Sequence, residues 1–504
     1  MYAKCGVLDK AEEVFESLPF REVVCWNSLI FGYAQNGLGD EARCCIKLML
    51  EQGVAPNVRT YTSILKGCSH RGLIKTGEDV HMEVCKRGLF GKDILLSNTL
   101  VDMYAKFSLL TKAKQVFDEL PERNVVSWNS LISGYVQNGL NHEALSYFEK
   151  MQDNKAINPN AITYVCMLKA CGSIGSLKMG EEIHVEVNRR GLLQRDVVLG
   201  TALVDMYAKC GMLEKAQEVF EDLPNRNVVT WSALIAGYTR HNLGDEALKC
   251  FRRMQDEGIS PNAVTFICIL KACGSTASLH IGEEIHAEVR KRGLLGEDKA
   301  LRNTLVDMYA KCGALAKAQK VLEELPVRAV ISWNALISGY GQRGEGLQAL
   351  YCFERMQKDD VLPNEVTLLS VLNACSHSGL IDEGQMYFDS MTEKYGLVPN
   401  LEHYTCMVEL FGRAGDFDKA MEVIRKMPSC DYPVIWRTIL GACKKWGNVK
   451  LGKLAFDQSI QVDNTCASAY VLMAEIFAAA GMREDAQKVE YMRQMHTGVA
   501  KAGE

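Results

Sequence analysis

Apolar residues recur along this chain at steps of three and four, in short stretches that end at turn residues. In residues 125–135, three apolar positions fall on one face of a helix: Leu131, Ile132 and Tyr135. After the Asn138-Gly139 dipeptide, apolar residues return at steps of four, four and three, at Leu140, Ala144, Phe148 and Met151. This pattern predicts two amphipathic helices joined by a turn. Neither helix buries its apolar stripe alone, so neighbouring hairpins must cover it.

The hairpin pattern itself repeats with a long period of 102 or 103 residues. Tryptophans, tyrosines and prolines all keep these steps, at Trp26, Trp128, Trp231 and Trp333, at Tyr2, Tyr104, Tyr207 and Tyr309, and at Pro19, Pro121, Pro224 and Pro326. Successive hairpins within one period begin 36, 36 and 31 residues apart. A fixed period is the signature of a stacked solenoid. The sequence therefore predicts an all-α fold, a right-handed superhelical solenoid of antiparallel helical hairpins without a separate globular domain.

Composition adds limits to this picture. A chain of 504 residues is long for one compact core, whereas a repeat array grows by adding nearest-neighbour contacts. The sequence has no apolar run of about 18 residues, so no membrane span is predicted. Several of its 19 cysteines follow the repeat, such as Cys171, Cys273 and Cys375. Their recurrence favours packing roles over disulfides and indicates a reducing compartment.

Four recurring phrases carry a family resemblance: MYAKCG, LPxRN, WNxLIxGY and KACG. They resemble pentatricopeptide repeats in the plant PLS arrangement, in which long, short and standard motifs alternate. The resemblance covers essentially the whole chain and places motif starts at Val23, Val58, Ile94, Val125, Ala161, Val197, Val228, Ala263, Lys299, Val330, Glu365 and Leu401. Residues 1–432 are thus predicted to be a PLS array with a truncated first motif. Residues 433–504, with units from Pro433 and Ala467, resemble E1 and E2 units, which are related to tetratricopeptide repeats.

The resemblance implies that each reading motif selects one RNA base through its fifth and its last residue. RNA sequence is best read on unpaired bases, and a helical repeat can present two or three side chains to one base. The implied pairs are Asn27 with Asn57, Thr62 with Asp93, Asn98 with Asn124, Asn129 with Asn160, Thr201 with Asn227, Ser232 with Asn262, Asn303 with Ala329, Asn334 with Asn364, and Thr405 with Tyr432. We expect the fifth-residue side chains to project their polar tips toward successive nucleotides.

In family terms, Asn with Asn favours pyrimidines, Thr or Ser with Asn favours adenine, and Thr62 with Asp93 suits guanine. The fifth residues of three long motifs, Val165, Ile267 and Leu369, are apolar and imply no reading there. Toward the RNA 3′ end, the implied preference is pyrimidine at nucleotides 1, 3, 4 and 10, guanine at nucleotide 2, and adenine at nucleotides 6 and 7. The second residues of reading motifs are apolar and would wedge between bases, at Val24, Leu95, Val126, Val198, Val229 and Ile331.

Two structural alternatives bear on these residues. An Asn near a helix start is also a favoured cap, and the repeated tryptophans are better explained by packing between repeats than by base stacking.

The net charge of −5 and pI of about 6.1 are unusual for a nucleic-acid binder, so phosphate neutralisation should not dominate. Basic pairs at Lys86-Arg87, Arg189-Arg190 and Lys291-Arg292 are either a phosphate-facing strip or solvated helix ends.

No catalytic constellation is predicted. Zinc deaminases use His-x-Glu followed by Pro-Cys-x-x-Cys. The chain has His-x-Glu at His81, His184 and His286, once per long motif, and contains no Cys-x-x-Cys. These histidines are therefore read as repeat residues, and neither an enzyme activity nor a metal, cofactor or small-molecule substrate is predicted.

The resemblance instead implies a site-recognition factor for cytidine-to-uridine editing of single-stranded RNA in a mitochondrion or chloroplast. The family's DYW deaminase domain usually follows the E region. Because the chain ends at VAKAGE and its first motif lacks its start, we expect either recruitment of a deaminase or editing-complex protein in trans through the E-type end, or a fragment of a longer factor. Alternatives are another organelle RNA role (splicing, stability or translation) and a protein-binding scaffold of tetratricopeptide type.

Overall fold

The computed structural model describes residues 2–71, 73–154, 156–296, 298–325, 327–428 and 432–496. These residues form helices and turns, and no β-strand occurs among them. Contacts divide the chain into a first unit of residues 1–241 with 256–260 and a second unit of residues 242–255 with 261–504. Pro326 and residues 497–504, which belong to the predicted repeat series and E-type end, lie outside the described ranges.

Each unit is built from helical hairpins, whose two helices we call the first and the second helix. After the short 3-10 helix Tyr2–Cys5 and the helix Leu8–Glu16, the first helices of the first unit are Val23–Gln35, Val58–Arg71, Ile94–Lys106, Val125–Gln137, Ala161–Ile174, Val197–Lys209 and Val228–Arg240. Their second helices are Gly39–Glu51, Ile74–Lys86, Leu110–Asp118, Asn141–Asp153, Leu177–Arg189 and Leu213–Asp222.

The second unit continues the pattern. Its first helices are Ala263–Ser275, Lys299–Lys311, Val330–Gln342, Glu365–Ser378, Leu401–Ala414, Pro433–Trp446 and Ala467–Ala479. Its second helices are Gly244–Asp256, Leu279–Lys291, Leu315–Glu323, Gly346–Lys358, Ile381–Glu393, Phe417–Arg425, Val449–Val462 and Arg483–His496. Every motif start predicted from the sequence is the first residue of a helix, and the all-α architecture of stacked hairpins is confirmed.

The first helices are buried on more sides than the sequence pattern predicts. In Val125–Gln137, the buried residues include Trp128, Leu131, Ile132 and Tyr135, and also Ser127, Asn129 and Gly134. This helix contacts the first helices on either side of it and its own second helix. It also contacts the preceding second helix, Leu110–Asp118. A helix covered by four neighbours has no wide polar face, so the amphipathic prediction holds for the second helices better than for the first.

The second helix Asn141–Asp153 shows the expected one-sided burial. Ala144, Phe148 and Met151 are almost fully buried, while Leu140 precedes the helix and is 40% exposed. The turn before it contains Gly139 at φ +75°, in the left-handed region that Gly adopts without strain. The Asn-Gly dipeptide therefore forms the predicted turn.

Neighbouring first helices approach each other closely. A Cβ added to Gly134 would lie 2.4 Å from Cβ of Ala105 in the preceding first helix. The repeated Cys171, Cys273 and Cys375 are fully buried at similar positions, and burial raises the pKa of each thiol to about 12. The described cysteines are free thiols, in keeping with small residues that allow tight helix contacts.

None of the helices in the described part of the chain is both long enough and apolar enough to cross a membrane.

Candidate nucleic-acid interface

The last residue of most motifs caps the first helix of the next motif. The side-chain oxygen of Asn124 accepts hydrogen bonds from the backbone N–H groups of Val126 and Ser127, both at 3.0 Å. The oxygen of Asn160 accepts from the N–H of Thr163 at 3.1 Å. The same role falls to Asn57, Asp93, Asn227, Asn262 and Asn364. The terminal residues are therefore the N-caps of these helices, and the fifth residues are not.

The fifth residues lie one turn inside each first helix and are largely covered. Exposed fractions are 7% for Asn27, 5% for Asn98, 7% for Asn129 and 9% for Asn334, and 5% each for Thr62 and Ser232. Thr201 and Asn303 are partly exposed. The expectation of freely projecting tips is therefore wrong for most of these side chains. Close packing of the first helices leaves little of each of these side chains accessible.

Three predicted pairs are brought into direct contact. The amide Nδ2 of Asn129 donates to Oδ1 of Asn160 at 3.0 Å. The equivalent distances are 3.4 Å from Asn98 to Asn124 and 3.3 Å from Asn334 to Asn364. Because the terminal asparagines are half-buried or exposed, each pair joins a covered amide to a more accessible one.

The other predicted pairs are arranged differently. No direct side-chain hydrogen bond joins Asn27 to Asn57, Thr62 to Asp93, or Thr201 to Asn227 within the described ranges. The Thr62 hydroxyl donates to the Val58 carbonyl at 2.6 Å, inside its own helix.

Three other fifth residues also bond within their own helix. Thr201 donates to the Val197 carbonyl at 2.8 Å. Ser232 donates to the Val228 carbonyl at 2.7 Å, and Thr405 donates to the Leu401 carbonyl at 2.7 Å. Asn303 has Ala329 as its terminal partner, whose side chain offers no hydrogen bond.

Some of the buried amide oxygens have no partner. Oδ1 of Asn27, Asn98 and Asn334 accepts no hydrogen bond from any described residue. Leaving a buried acceptor unsatisfied costs about 1–3 kcal/mol. An amide offers both a donor and an acceptor, and in these three residues the acceptor is buried without a partner.

Apolar and basic side chains flank these clusters. The second residues of the reading motifs are 50–66% exposed, at Val24, Leu95, Val126, Val198, Val229 and Ile331. They stand three residues before the fifth residue, on the same helix face.

Sequence reasoning missed the exposed Lys66, Lys169 and Lys271, each of which lies in a long motif, four residues after its fifth residue and on the same helix face. Their spacing of 103 and 102 residues was the signal that could have found them.

The basic pairs proposed as a phosphate strip are largely engaged within the protein. Arg190 binds Glu186 at 2.6 Å, donates to the Pro159 carbonyl at 3.1 Å, and lies 5.7 Å from the ring centre of Tyr164. Arg87 and Arg292 are likewise bound to Glu83 and Glu288 at 2.6 Å. These ion pairs stabilise the ends of the second helices. Hydrogen bonds from Arg189 and Arg190 lower the pKa of Glu186 to about 2.

The three His-x-Glu histidines have a structural partner. His81, His184 and His286 each place Nδ1 2.9 Å from the hydroxyl of a tyrosine in the following short motif, at Tyr104, Tyr207 and Tyr309. Burial lowers the pKa of each of these histidines. Among the described residues, no cluster of three or more His, Cys, Asp or Glu could hold a metal ion.

These features define a class of protein, a helical-hairpin repeat array whose polar clusters recur at one place in each reading motif. The PPR repeat family model matches residues 21–70, 123–173, 226–275 and 328–377. Further PPR repeat models match residues 59–89, 97–125, 162–192, 201–228, 302–328, 366–395 and 395–428. The chain belongs to the pentatricopeptide repeat family.

Similar proteins come from Arabidopsis thaliana. A chloroplastic pentatricopeptide repeat-containing protein is 35% identical over 503 residues, which cover 100% of this chain and 57% of the relative. A second chloroplastic relative is 37% identical, with 97% and 60% covered, and a mitochondrial one is 35% identical, with 99% and 72% covered. The chain thus spans less than two thirds of the two chloroplastic relatives.

Solved structures share the fold. The crystal structure of the pentatricopeptide repeat protein PPR10 from maize matches with a TM-score of 0.55 at 20% identity, covering 98% of this chain and 77% of PPR10. PPR10 in complex with an 18-nt psaJ RNA element matches with a TM-score of 0.54 at 16% identity, covering 98% and 84%.

Proposed function

We propose that this chain binds single-stranded RNA and reads its sequence through the fifth and terminal residues of its standard and short motifs. The observation that carries the proposal is the recurring cluster in which a fifth-position amide donates to a terminal asparagine, as Asn129 does to Asn160. An exposed apolar second residue stands beside each cluster. The fold shared with PPR10, whose complex contains an 18-nt RNA, supports this reading.

The chemistry suits unstacked bases. An amide edge presents a donor and an acceptor to the Watson–Crick edge of one base. The exposed Val126 side chain can pack against a base face, as apolar and aromatic groups do in single-strand binding. Because the chain carries a net charge of −5, base contacts rather than phosphate neutralisation must supply most of the affinity.

A direct test compares two short RNAs by gel shift. One 12-nucleotide RNA carries pyrimidines at nucleotides 1, 3, 4 and 10 and adenines at 6 and 7, and the other is a scrambled version of the same composition. We expect the first to bind at least about tenfold more tightly, since each well-placed base contact discriminates by about 1–3 kcal/mol. Equal affinity for both RNAs would rule out sequence reading, and binding of peptides instead of RNA would favour a scaffold.

We further propose that the bound RNA is an organelle transcript and that the chain selects a cytidine for conversion to uridine. First helices begin 31 residues apart after each short motif and 35 or 36 after standard and long ones, from Val23 to Leu401, which is the alternation that the editing resemblance implies. The relatives include chloroplastic and mitochondrial proteins. The hairpins of residues 433–496 are the proposed E-type surface for a deaminase supplied in trans.

Loss of the protein in its source organism tests this step. We expect one or a few cytidines in organelle transcripts to remain unedited, each preceded by a sequence that fits the preference above. Sequencing of organelle RNA measures this directly. Unchanged editing with altered splicing, abundance or translation of one transcript would assign the chain to another RNA role.

A further inference from the structure

In three of the reading clusters, a third group contacts the fifth residue. It is the hydroxyl of the third residue of the following motif, which lies on the adjacent first helix. Thr163 donates through Oγ1 to Oδ1 of Asn129 at 2.7 Å. Ser332 donates to Oδ1 of Asn303 at 2.7 Å. The hydroxyls of Thr201 and Thr230 lie 2.8 Å apart, and the third residues in all three contacts are fully buried.

The sequence pairs this hydroxyl with the kind of motif that precedes it. After every standard or short motif with a polar fifth residue, from Val23 to Val330, the next third residue is Ser or Thr: Thr60, Ser127, Thr163, Thr230, Thr265, Ser332 and Thr367. After the long motifs, it is Leu96, Leu199, Leu301 and His403. The last of these follows Leu369, and its ring bonds instead to Asn400 and to the Glu365 carbonyl.

Helix capping does not by itself require the hydroxyl. The helix Ile94–Lys106 has Leu96 as its third residue, yet this helix is capped, because the backbone N–H of Leu96 donates to Oδ1 of Asp93 at 2.9 Å. Asp196 and Asp298 cap helices whose third residue is also leucine. From Val23 to Val330, the hydroxyl therefore follows standard and short motifs and is absent after long ones, whether or not the helix is capped.

We propose that the third-residue hydroxyl is a specificity-determining positioning group of the RNA-reading cluster. The proposal rests on the RNA-reading function proposed above. In the Asn129 cluster, Asn160 holds the amide Nδ2 and Thr163 holds Oδ1, so the plane of the amide is fixed at both ends. In the Asn98 and Asn334 clusters, the same oxygen is buried and accepts no hydrogen bond from any described residue. The Asn/Asn clusters thus differ in how the fifth amide is held, with Oδ1 bonded to Thr163 in one and buried without a partner in the other two.

The same logic applies to the first long motif. Thr62 is followed by Leu96, which has no hydroxyl to offer the cluster. Thr62 with Asp93 therefore lacks the third member of a reading cluster, and we infer that nucleotide 2 is not selected as guanine.

The test uses Thr163→Val, which removes the hydroxyl and keeps the branched shape. Thr367→Val is the matched control, because Thr367 forms the same capping contacts with Asn364 but does not bond to Asn334. Affinities are measured for 12-nucleotide RNAs with each of the four bases at nucleotide 4 or 10. We expect Thr163→Val to lower the pyrimidine-to-purine affinity ratio at nucleotide 4 by about 3- to 10-fold, the value of one hydrogen bond.

The ratio at nucleotide 10 should stay unchanged in Thr163→Val, and Thr367→Val should alter neither ratio. Thr163→Ser, which retains the hydroxyl, should keep the wild-type ratio and separates the effect from any loss of folding. An unchanged ratio at nucleotide 4 in a folded Thr163→Val protein would overturn the positioning role. Guanine selection at nucleotide 2 by the wild-type protein would also contradict the proposal, whereas no base preference at any nucleotide would overturn the RNA-reading function itself.

Discussion

Replacing Trp128 by alanine is expected to destabilise the protein by about 3–5 kcal/mol, the usual cost of truncating a buried aromatic side chain. Trp128 is 6% exposed, and its ring packs edge-on against Phe117 with the ring centres 4.9 Å apart. The contact joins the short motif at Ile94 to the standard motif at Val125. Trp128 lies in the first unit, residues 1–241 with 256–260. For a unit of that length, we expect the melting midpoint to fall by about 6–20 °C, measurable by circular dichroism.

Two variants sharpen this measurement. Trp128→Phe keeps an aromatic ring and removes an indole N–H that has no hydrogen-bond partner among the described residues, so its cost should be clearly smaller. Trp446→Ala is the exposed control, because Trp446 is 52% exposed and makes one hydrogen bond, to the Gly412 carbonyl at 3.1 Å. It should cost about 1 kcal/mol. Equal destabilisation by Trp128→Ala and Trp446→Ala would contradict the packing role.

The effect of Trp128→Ala should be local in the chain. Repeat arrays are stabilised by contacts between neighbouring repeats, so the unfolding transition should broaden as the hairpins around the substitution melt first. Hydrogen exchange would then show loss of protection in the helices Ile94–Lys106 and Val125–Gln137 before the helices from Pro433 onward.

The hairpin array was predictable because its signals are local. Turn residues such as Asn138 and Gly139, and the steps of three and four that follow, specify where helices begin and end. Each motif start taken from the sequence is the first residue of a helix. Burial of the repeated tryptophans was also predictable, since they share a helix face with Leu and Ile.

The geometry of the clusters was not predictable, because it depends on contacts between helices about 30 residues apart. Asn129 and Thr163 lie on adjacent first helices, and only their approach brings Oγ1 within 2.7 Å of Oδ1. The same approach covers Asn129 to 7% exposure, where a single helix would leave its side chain free. The sequence contained a sign of this in the Ser or Thr at the third position after each standard and short motif from Val23 to Val330, but their partner is visible only in the folded chain.

The contacts of the arginines are a second feature that could not be predicted from the sequence. Arg190 resembles a free basic residue at a helix end, yet its guanidinium is shared between Glu186 and the Pro159 carbonyl. Lys169, which stands four residues after a fifth residue, is exposed. A long-range acceptor such as the Pro159 carbonyl decides which basic residues remain available, and this cannot be read from spacing.

Changing Asn129 to threonine, with Asn160 retained, is expected to shift the preference at nucleotide 4 from pyrimidine to adenine. The cluster can accept the change, because Thr201 occupies the same motif position with Asn227 and places its hydroxyl 2.8 Å from Thr230. In Asn129→Thr, the new hydroxyl would face Thr163 in the same way. The shorter side chain leaves room for the larger purine ring, while Asn160 keeps its donor and acceptor for the base edge.

The expected change in the adenine-to-pyrimidine affinity ratio is about tenfold or more, since one base contact discriminates by about 1–3 kcal/mol. Competition binding with four RNAs that differ only at nucleotide 4 measures it. The reciprocal variant Thr201→Asn should move nucleotide 6 from adenine toward pyrimidine and leave nucleotide 4 unchanged. If both variants bind all four RNAs with the wild-type ratios, the fifth residues do not read the base, and the clusters serve only to join neighbouring helices.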